Sequence, residues 1–520
     1  MNHGVMGTGK RWSDVSALTW LAIALAVLYL IPILAFKYFP SQDGPSHIEN
    51  SYMLCHFFDK GAPYSEYYDL NLRPFPNWLS HSSMALVMKV APPLAAEKAL
   101  LVGYIVLFVL SVFYFLRATM GRADWLVLVA LALVYNNLLH SGYYNFSISV
   151  PLVFVTIGYW WKRRDLAGRD WRGWIGVNLL LLLVYSCNVL SEGIALMSLV
   201  VLAAIHYRER VRRTIALALA LVPACILPAY YVATGHGEPA GRSGIGQLGG
   251  YLATGGSLVA FDPRERYVGI ALAIILAALL GVGLVLRRGL RRRTGGEVGD
   301  GRDGFLGLAA ATVLLYFLAP ARAFGGGSIP YRLALFPPIM VLPWIVANVP
   351  GAVRRAAGVA ALGAALVHLG FTVEACKVFN RGLAEYTSGI SVVAPNSTIL
   401  PISFDHKGES AKVGVYRHAG SYYCLGNGVI DLANYEGDKS YFPLRYKSSL
   451  NPWAIIGSLE GIRGTIRPDR YPRPVDYILL WSAPPQFAVR PWIEANYTLV
   501  HSQGRLMIYK RKETSLSWRG

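Results

Sequence analysis

A short segment near the N-terminus concentrates side chains that could exchange protons. Residues 39–50 read Phe-Pro-Ser-Gln-Asp-Gly-Pro-Ser-His-Ile-Glu-Asn and bring Asp43, His47 and Glu49 within seven positions of one another. A carboxylate that is partly shielded from water can accept a proton from a hydroxyl group. We therefore predict a catalytic site that contains Asp43, His47 and Glu49, with Asp43 as the base.

The same segment also fits a structural role. Ser46-x-x-Glu49 matches a helix capping box, and Pro45 suits the first turn of a helix. In this interpretation Glu49 only caps a helix that runs from Ser46 to Lys60. One face of that helix would carry Glu49, Met53, His56 and Lys60. Because most of these side chains can carry charge, we expect the face to meet water or the site.

Arginines in two later segments form a second candidate group. Arg332 begins an apolar, Pro-rich run in Ile329–Pro338, Arg322 precedes it by ten residues, and Arg266 ends a Gly-rich loop that starts at Gly235. Arginine stays charged and offers a planar fork of donors to phosphate oxygens. We predict that Arg332, Arg322 and Arg266 bind a phosphate group. The alternative is that they reach towards lipid headgroups.

Polar side chains also lie close to apolar stretches at two predicted hairpins. Tyr143 and Asn145 belong to the first hairpin, and Glu192 lies at the end of the second. An acid so near the hydrocarbon is costly unless it is used or paired. We predict that Tyr143, Asn145 and Glu192 bind substrate, although tyrosine favours membrane interfaces in any case.

The elements that must position these residues are predicted to be membrane helices. Hydrophobic residues make up 54% of the chain and charged residues 15%, whereas soluble proteins carry about a quarter charged residues. Apolar stretches long enough to cross a hydrocarbon core of roughly 30 Å recur up to residue 372. The predicted spans, about eleven, are 17–36, 97–116, 125–140, 143–161, 173–189, 191–206, 214–233, 267–286, 304–320, 331–348 and 357–372.

Basic residues in the loops predict the orientation of these spans. Lys and Arg cluster in alternate loops, for example at Lys162–Arg164 and Arg291–Arg293, and the positive-inside rule assigns such loops to the cytoplasm. The N-terminus is therefore predicted inside and the C-terminus outside. The first outer loop, 37–96, should contain two helices at the membrane surface, over 46–60 and 78–90.

Two domains follow from this layout. Residues 1–372 form a transmembrane domain that includes the outer loop 37–96, and residues 373–520 form an extracytoplasmic α/β domain. Short apolar runs separated by turn residues predict strands in the second domain. These runs are 397–401, 477–481, 498–501 and 505–509.

Charge and cysteine content exclude two other classes of site. The net charge of +19 arises largely from loop arginines that orient the spans, so no nucleic-acid partner is expected. The five cysteines form no Cys-x-x-Cys motif, so no metal ligands are predicted, although a divalent cation stays open as a cofactor. A disulfide between Cys376 and Cys424 is the one pairing that the outer side would allow.

An acidic residue just after the first span, in a long outer loop with surface helices, resembles the integral membrane glycosyltransferases of the GT-C superfamily. Asp43 and His47, spaced as Asp-x-x-x-His, are similar to the Asp-plus-His pattern of some eukaryotic members. Gly44 departs from the Asp-Glu pair of protein mannosyltransferases and aminoarabinose transferases. A late Arg before an apolar, Pro-rich run, as at Arg332, is also similar to this superfamily.

The resemblance implies a GT-C-like fold and a defined reaction. Such an enzyme moves a sugar from a polyprenyl-phosphate donor to a lipid, glycan or protein acceptor on the outer face of the membrane. Asp43 would then be the base, Arg332 would meet the lipid-linked phosphate, and membrane lipids would surround the spans. The short loops and the Ala-, Gly- and Arg-rich composition favour a bacterial inner membrane, with the C-terminal domain periplasmic or extracellular.

Two other functions remain as alternatives. A transporter or flippase of lipid-linked glycans would carry charges in the middle of its spans and would repeat one half in the other. A polysaccharide polymerase or ligase would place its Arg and His residues in a large late outer loop. Here the densest ionisable cluster lies in the first outer loop, which favours the glycosyltransferase.

Overall fold

The computed structural model describes residues 9–166, 171–207, 210–234, 240–294, 301–323, 325–460 and 466–512. The first residues of the predicted Gly-rich loop (235–239), and parts of the loops after Lys162 and after Arg293, lie outside these ranges. The described residues form a helical region followed by a region with a β-sheet.

The helical region begins with α1 (Gly9–Tyr29) and α2 (Ile31–Leu34). The first outer loop holds α3 (Gly44–Cys55), α4 (Tyr64–Tyr67), β1 (Tyr68–Leu70) and α5 (Leu79–Met88). The helices up to the Gly-rich loop are α6 (Pro93–Met120), α7 (Val127–Leu131), α8 (Asn137–His140), α9 (Tyr144–Arg163), α10 (Trp171–Cys187), α11 (Val189–His206), α12 (Val211–Ala220) and α13 (Val222–Ala233). The later ones are α14 (Ile245–Ala253), α15 (Glu265–Thr294), α16 (Asp303–Leu318), α17 (Ile329–Leu333), α18 (Pro337–Met340), α19 (Leu342–Asn348) and α20 (Gly351–Tyr386), with the short strands β2 (Arg322–Ala323) and β3 (Gly326–Gly327) before α17.

All predicted spans contain helix, but not all are continuous. Among the described residues, six helical segments are long and apolar enough to cross a membrane, and the pair α12–α13, bent by 57°, makes a seventh. The stretch 125–140 consists of α7, turns and α8, and the stretch 331–348 is broken at its prolines, which cannot donate the helical hydrogen bond. The total number of spans and their orientation stay predictions.

The predicted surface helices correspond to α3 and α5, yet α3 is largely buried. It packs against α5, α6 and a 3-10 helix at Ala419–Cys424. The predicted capping box is wrong, because α3 begins at Gly44 with Asp43 as its N-cap. The expected contact of the Glu49 face with water or the site holds only at its far end, because Glu49 and Met53 are completely buried, whereas His56 is half-buried and Lys60 is exposed.

The C-terminal region contains a five-stranded mixed sheet. Its strands are β4 (Thr398–Ser403), β5 (Ile430–Asp431), β7 (Tyr477–Trp481), β8 (Tyr497–Gln503) and β9 (Leu506–Arg511), with β6 (Leu444–Tyr446) outside the sheet. The order is β5-β4-β7-β9-β8, with β4 parallel to its neighbours and β9 antiparallel to both of its own. Two short helices, α21 (Pro452–Ile455) and α22 (Arg490–Asn496), complete the region. The predicted α/β region is confirmed, and each predicted run overlaps a strand.

The sheet is packed against the helical region on both faces. Strands β4 and β7 are buried at every position, as expected for strands covered on two sides. One face meets Phe379 and Tyr386 of α20, which continues past residue 372 to the edge of the sheet. The other face packs on residues of the outer loop, where β1 pairs with β6. Cys376 and Cys424 are buried as free thiols, so the disulfide that the sequence allowed is not formed.

Candidate active site

A cavity of about 270 Å³ lies where the outer loop, the ends of several membrane helices and the C-terminal region meet. From the helical region it is lined by Gln42, Asp43, His47, Pro76, Asn77, Tyr143, Tyr144, Asn145, Phe146, Asn188, Val189, Leu190, Tyr231, Ala323, Gly326, Gly327, Ile329 and Arg332. From the C-terminal region it is lined by Arg417, His418, Tyr435, Tyr441, Phe442 and Glu460. Five of the nine site residues predicted from the sequence line this cavity.

Asp43 is held at the cavity by a close approach of two backbones. Gln42 N–H donates to the carbonyl of His140 at 2.9 Å, which ties the segment to the turn before α9. In that turn Gly142 has a φ of +86°, and a Cβ there would lie 2.7 Å from both the Cβ and the backbone nitrogen of Asp43. Glycine is required at this position for two reasons, because it tolerates a positive φ and because it leaves room for Asp43.

The residue after Asp43 is glycine for a similar reason. A Cβ on Gly44 would collide with Ser41 and Tyr144 and would lie 2.9 Å from Oε1 of Glu97. Tyr144 O–H donates to Glu97 at 2.6 Å and lies 3.0 Å from the Ser41 hydroxyl, and all three side chains are buried. No side chain larger than that of glycine therefore fits at position 44.

Asp43 is 7% exposed and lines the cavity. Gln42 Nε2 donates to Oδ1 of Asp43 at 3.0 Å. The Nε2 atom of His418 lies 3.4 Å from the same oxygen and 3.4 Å from Oε1 of Glu460. The Asp43 side chain makes no capping hydrogen bond to α3. Because Gln42 and His418 both contact Oδ1, Oδ2 is the oxygen left to act on a ligand, and His418 bridges two carboxylates.

Arg332 brings the positive charge to the same cavity. Its side chain is 9% exposed, and its guanidinium lies over the ring of Tyr143 at 4.4 Å and that of Phe146 at 5.5 Å. Its Nε is buried without a hydrogen-bond partner. An unsatisfied buried donor is costly, so this guanidinium is poised to bind an anionic group.

His47 joins a buried cluster of ionisable side chains. Its Nδ1 lies 2.6 Å from Oε1 of Glu436, and its Nε2 donates to the carbonyl of Gly142 at 2.8 Å. His81 Nε2 lies 2.7 Å from Oε2 of Glu436. Burial alone would raise the pKa of Glu436, but the two histidines lower it to about 2. Burial alone would lower the pKa of His47, but the charges of Glu436 and Asp43 raise it.

The two hairpin residues line the cavity and also hold its wall. The ring of Tyr143 packs against the guanidinium of Arg332. Asn145 accepts a hydrogen bond from Ser80 N–H at 2.8 Å and donates to the Asn77 carbonyl at 3.0 Å, so it fixes the start of α5. Both residues are thus structural as well as accessible to a ligand.

Four predicted site residues are not brought to the cavity. Glu192 is fully buried in α11, with neither oxygen hydrogen-bonded, while its neighbour Asn188 lines the wall. Arg322 is exposed on β2, and Arg266 is exposed and lies over the Tyr267 ring at 4.9 Å. Glu49 is buried beneath the cavity-lining end of α3.

Glu49 instead forms a second buried acidic pair. Burial and the nearby Asp431 raise the pKa of Glu49 well above its usual range. Burial also raises the pKa of Asp431 to about 6. A carboxyl group in these surroundings favours its protonated form, so Glu49 is suited to packing rather than to accepting a proton.

Sequence reasoning missed the contribution of the C-terminal region. His418, Glu436 and Glu460 lie at or beside irregular turns and 3-10 helices, where no periodicity distinguishes a site residue from a surface one. His81 was within reach, because it belongs to a predicted outer-loop helix and is an ionisable residue on its apolar side.

No family model matches the sequence, and no curated protein matches it. Among solved structures, the crystal structure of ArnT from Cupriavidus metallidurans in the apo state is similar with a TM-score of 0.52. The match has 12% identity and covers 95% of this chain and 98% of ArnT. The chain therefore has a GT-C-like fold. The arabinofuranosyltransferase AftD from Mycobacteria matches with 13% identity and a TM-score of 0.49 over 98% of this chain.

The similarity to ArnT shows the fold alone. This chain spans 40% of the length of AftD. The GT-C-like fold and the apolar helices make the chain a multi-pass membrane protein with a C-terminal sheet region. At 12% identity, the evidence for the reaction and its residues comes from the cavity.

Proposed function

We propose that this protein transfers a sugar from a polyprenyl-phosphate donor to a hydroxyl of a lipid, glycan or protein acceptor, on the outer face of the plasma membrane. One observation carries the proposal. An accessible carboxylate, Asp43, and an unsatisfied guanidinium, Arg332, line the same largely buried cavity. The GT-C-like fold shared with a membrane aminoarabinose transferase supports it.

The proposed reaction needs only these two charges. The acceptor oxygen attacks the anomeric carbon and forms the new glycosidic bond, while the bond from that carbon to the phosphate oxygen breaks. Asp43 takes the proton of the acceptor hydroxyl. Arg332 binds the polyprenyl phosphate that leaves and stabilises its growing negative charge.

Two neighbouring side chains hold the Asp43 carboxylate in place. Gln42 donates a hydrogen bond to it, and His418 lies between it and Glu460. We propose that His418 positions Asp43, and that Glu460 keeps His418 in place.

The donor also carries a long apolar tail. A second cavity of about 280 Å³ lies beside α5 and α6 and is lined by apolar side chains. These include Leu79, Val87, Leu100, Leu107 and Ile148. We propose that the polyprenyl tail lies along this groove, where apolar burial stabilises it.

Replacing Asp43 by asparagine tests the proposal. Asparagine keeps the size of the side chain but cannot accept a proton, and no helix cap is lost because Asp43 makes none through its side chain. Loss of a general base typically lowers the rate by about 10²–10⁴. We expect Asp43→Asn to insert and bind donor normally, but to release polyprenyl phosphate at that reduced rate from a panel of polyprenyl-phosphate pentoses and hexoses.

Asp69→Asn is the matched control. Asp69 belongs to the same outer loop, is exposed on β1 and lies outside the cavity lining. It should retain the wild-type rate. If Asp43→Asn also retains most of its activity, the base lies elsewhere, and Glu460 is the next carboxylate in the cavity.

A further inference from the structure

Three buried side chains from distant parts of the sequence converge beside the cavity. His47 comes from α3, His81 from α5, and Glu436 from a 3-10 helix of the C-terminal region. One nitrogen of each histidine and the carboxylate oxygens of Glu436 lie within 4.8 Å of one another. We propose that these three residues bind one divalent transition-metal ion, for which zinc is the best match.

In each histidine, the nitrogen that does not face Glu436 makes a hydrogen bond that supports this assignment. Nε2 of His47 donates to the Gly142 carbonyl at 2.8 Å, and Nδ1 of His81 donates to the Asn77 carbonyl at 3.2 Å. Histidines that bind metals usually donate their second N–H to a carbonyl or carboxylate, which fixes the ring and its tautomer. In each ring the nitrogen left over therefore faces Glu436.

Of the two inner contacts, only the one between Nε2 of His81 and Oε2 of Glu436, at 2.7 Å, has the geometry of a hydrogen bond. Nδ1 of His47 and Oε1 of Glu436 are fully buried and lie 2.6 Å apart, yet their angles do not meet those of a hydrogen bond. If each histidine is neutral and donates its N–H to the backbone carbonyl, the lone pair of its other nitrogen faces the carboxylate of Glu436. This would place two lone pairs against a buried carboxylate. Protons or a metal ion must occupy that space, because buried charges need a partner.

Zinc fits the number and type of these ligands. Zinc takes imidazole nitrogen and carboxylate oxygen at about 2.0–2.2 Å in tetrahedral sites, often with three protein ligands and one water. The nitrogen–oxygen separations, now 2.6 and 2.7 Å, would widen to about 3.3 Å in such a tetrahedron. His47 lines the cavity, so the fourth position can be reached from there.

A metal here would join three elements that otherwise meet only through side chains. It would fix the first turn of α3, which carries Asp43, to α5 and to the C-terminal region. The site is distinct from the proposed base and phosphate ligand. Its occupancy can therefore be measured whether or not the proposed transfer reaction is correct.

Metal content is the direct test. The full chain, purified in detergent without a polyhistidine tag, should contain about one equivalent of zinc by elemental mass spectrometry. After removal by a chelator, cobalt(II) should bind in a saturable manner with the strong visible absorption of tetrahedral nitrogen–oxygen coordination. Returned zinc should raise the melting temperature, because a ligand that binds only the folded state stabilises it.

Variants locate the ion. His81→Gln and Glu436→Gln should lose at least nine tenths of the bound metal, as expected when one of three protein ligands is removed, whereas His501→Gln, in β8, should keep it. Zinc and cobalt contents equal to wild type in both ligand variants would overturn the proposal. So would a wild-type protein that binds neither zinc nor cobalt after chelation, a result that does not depend on whether the variants fold. If the protein contains manganese or iron instead of zinc, the proposed site is supported and only the identity of the metal changes.

Discussion

The contact between Gly142 and Asp43 makes a sharp prediction about Gly142→Ala. The new methyl group would lie 2.7 Å from the Cβ and backbone nitrogen of Asp43. Ordinary carbon contacts are about 3.5–4.0 Å, so the segment that carries Asp43 must move away by about 1 Å. Gly142 also has a φ of +86°, which an alanine adopts at a cost of about 1–2 kcal/mol.

These two effects have different consequences. The backbone cost lowers stability, whereas a displacement of about 1 Å at a catalytic group can reduce the rate by about 10². We therefore expect Gly142→Ala to be moderately less stable and to release polyprenyl phosphate about 10²-fold more slowly than wild type. Donor release in proteoliposomes and thermal unfolding in detergent measure the two effects separately.

Gly61→Ala separates them within the same chain. Gly61 has a φ of +83°, but no atom lies within 4 Å of the position that a Cβ would take there. It should share the loss of stability and keep its activity. If Gly142→Ala transfers sugar at the wild-type rate, or if both variants lose activity equally, the close approach to Asp43 does not set the geometry of the reaction.

Three further predictions concern the donor, the acidic pair and the topology. Arg332→Lys should weaken donor binding less than Arg332→Ala, because lysine keeps the charge but loses the planar fork. A competition assay measures the donor affinity, and equal affinities in Arg332→Ala and wild type would contradict this prediction. Burial raises the pKa of Asp431 to about 6, above its value of about 3.9 in an unfolded chain, so the folded state binds this proton more tightly than the unfolded state and the free energy of unfolding falls as pH rises from about 4 through about 6. Thermal unfolding of Asp431→Asn should lack that part of the pH dependence, and an unchanged profile refutes it. Alkaline phosphatase fusions should be inactive at Arg164 and active at Lys510, and the opposite pattern would reverse the proposed orientation.

The fold could be predicted from the sequence because membrane and sheet patterns are local. A helix must be apolar over its whole length to cross the bilayer, so stretches such as 97–116 and 357–372 identify α6 and α20. The strand at 477–481 was bounded correctly because it is apolar at every position. Irregular stretches were less predictable, since α7 and α8 are separated by turns that no apolar pattern marks.

The candidate site was predictable only in part. Asp43 and Arg332 stand out because charged residues beside apolar stretches are costly and therefore informative. The same argument failed for Arg322 and Arg266, since an exposed arginine at the membrane surface costs little. It also failed for Glu49, whose spacing from Ser46 suggested a cap, because α3 begins three residues earlier than the capping box required.

The residues that sequence reasoning missed share a physical cause, which is the docking of the C-terminal region on the outer loop. Asn434 and Asn50 exchange hydrogen bonds at 3.0 and 3.1 Å through their buried amides. The same Asn434 oxygen accepts the backbone N–H of Glu436 at 3.1 Å and so fixes the carboxylate that faces His47. Since a buried amide pair is costly to separate, the C-terminal region and α3 hold each other in one arrangement. The cavity is therefore complete only when both are docked, and neither segment alone contains its pattern.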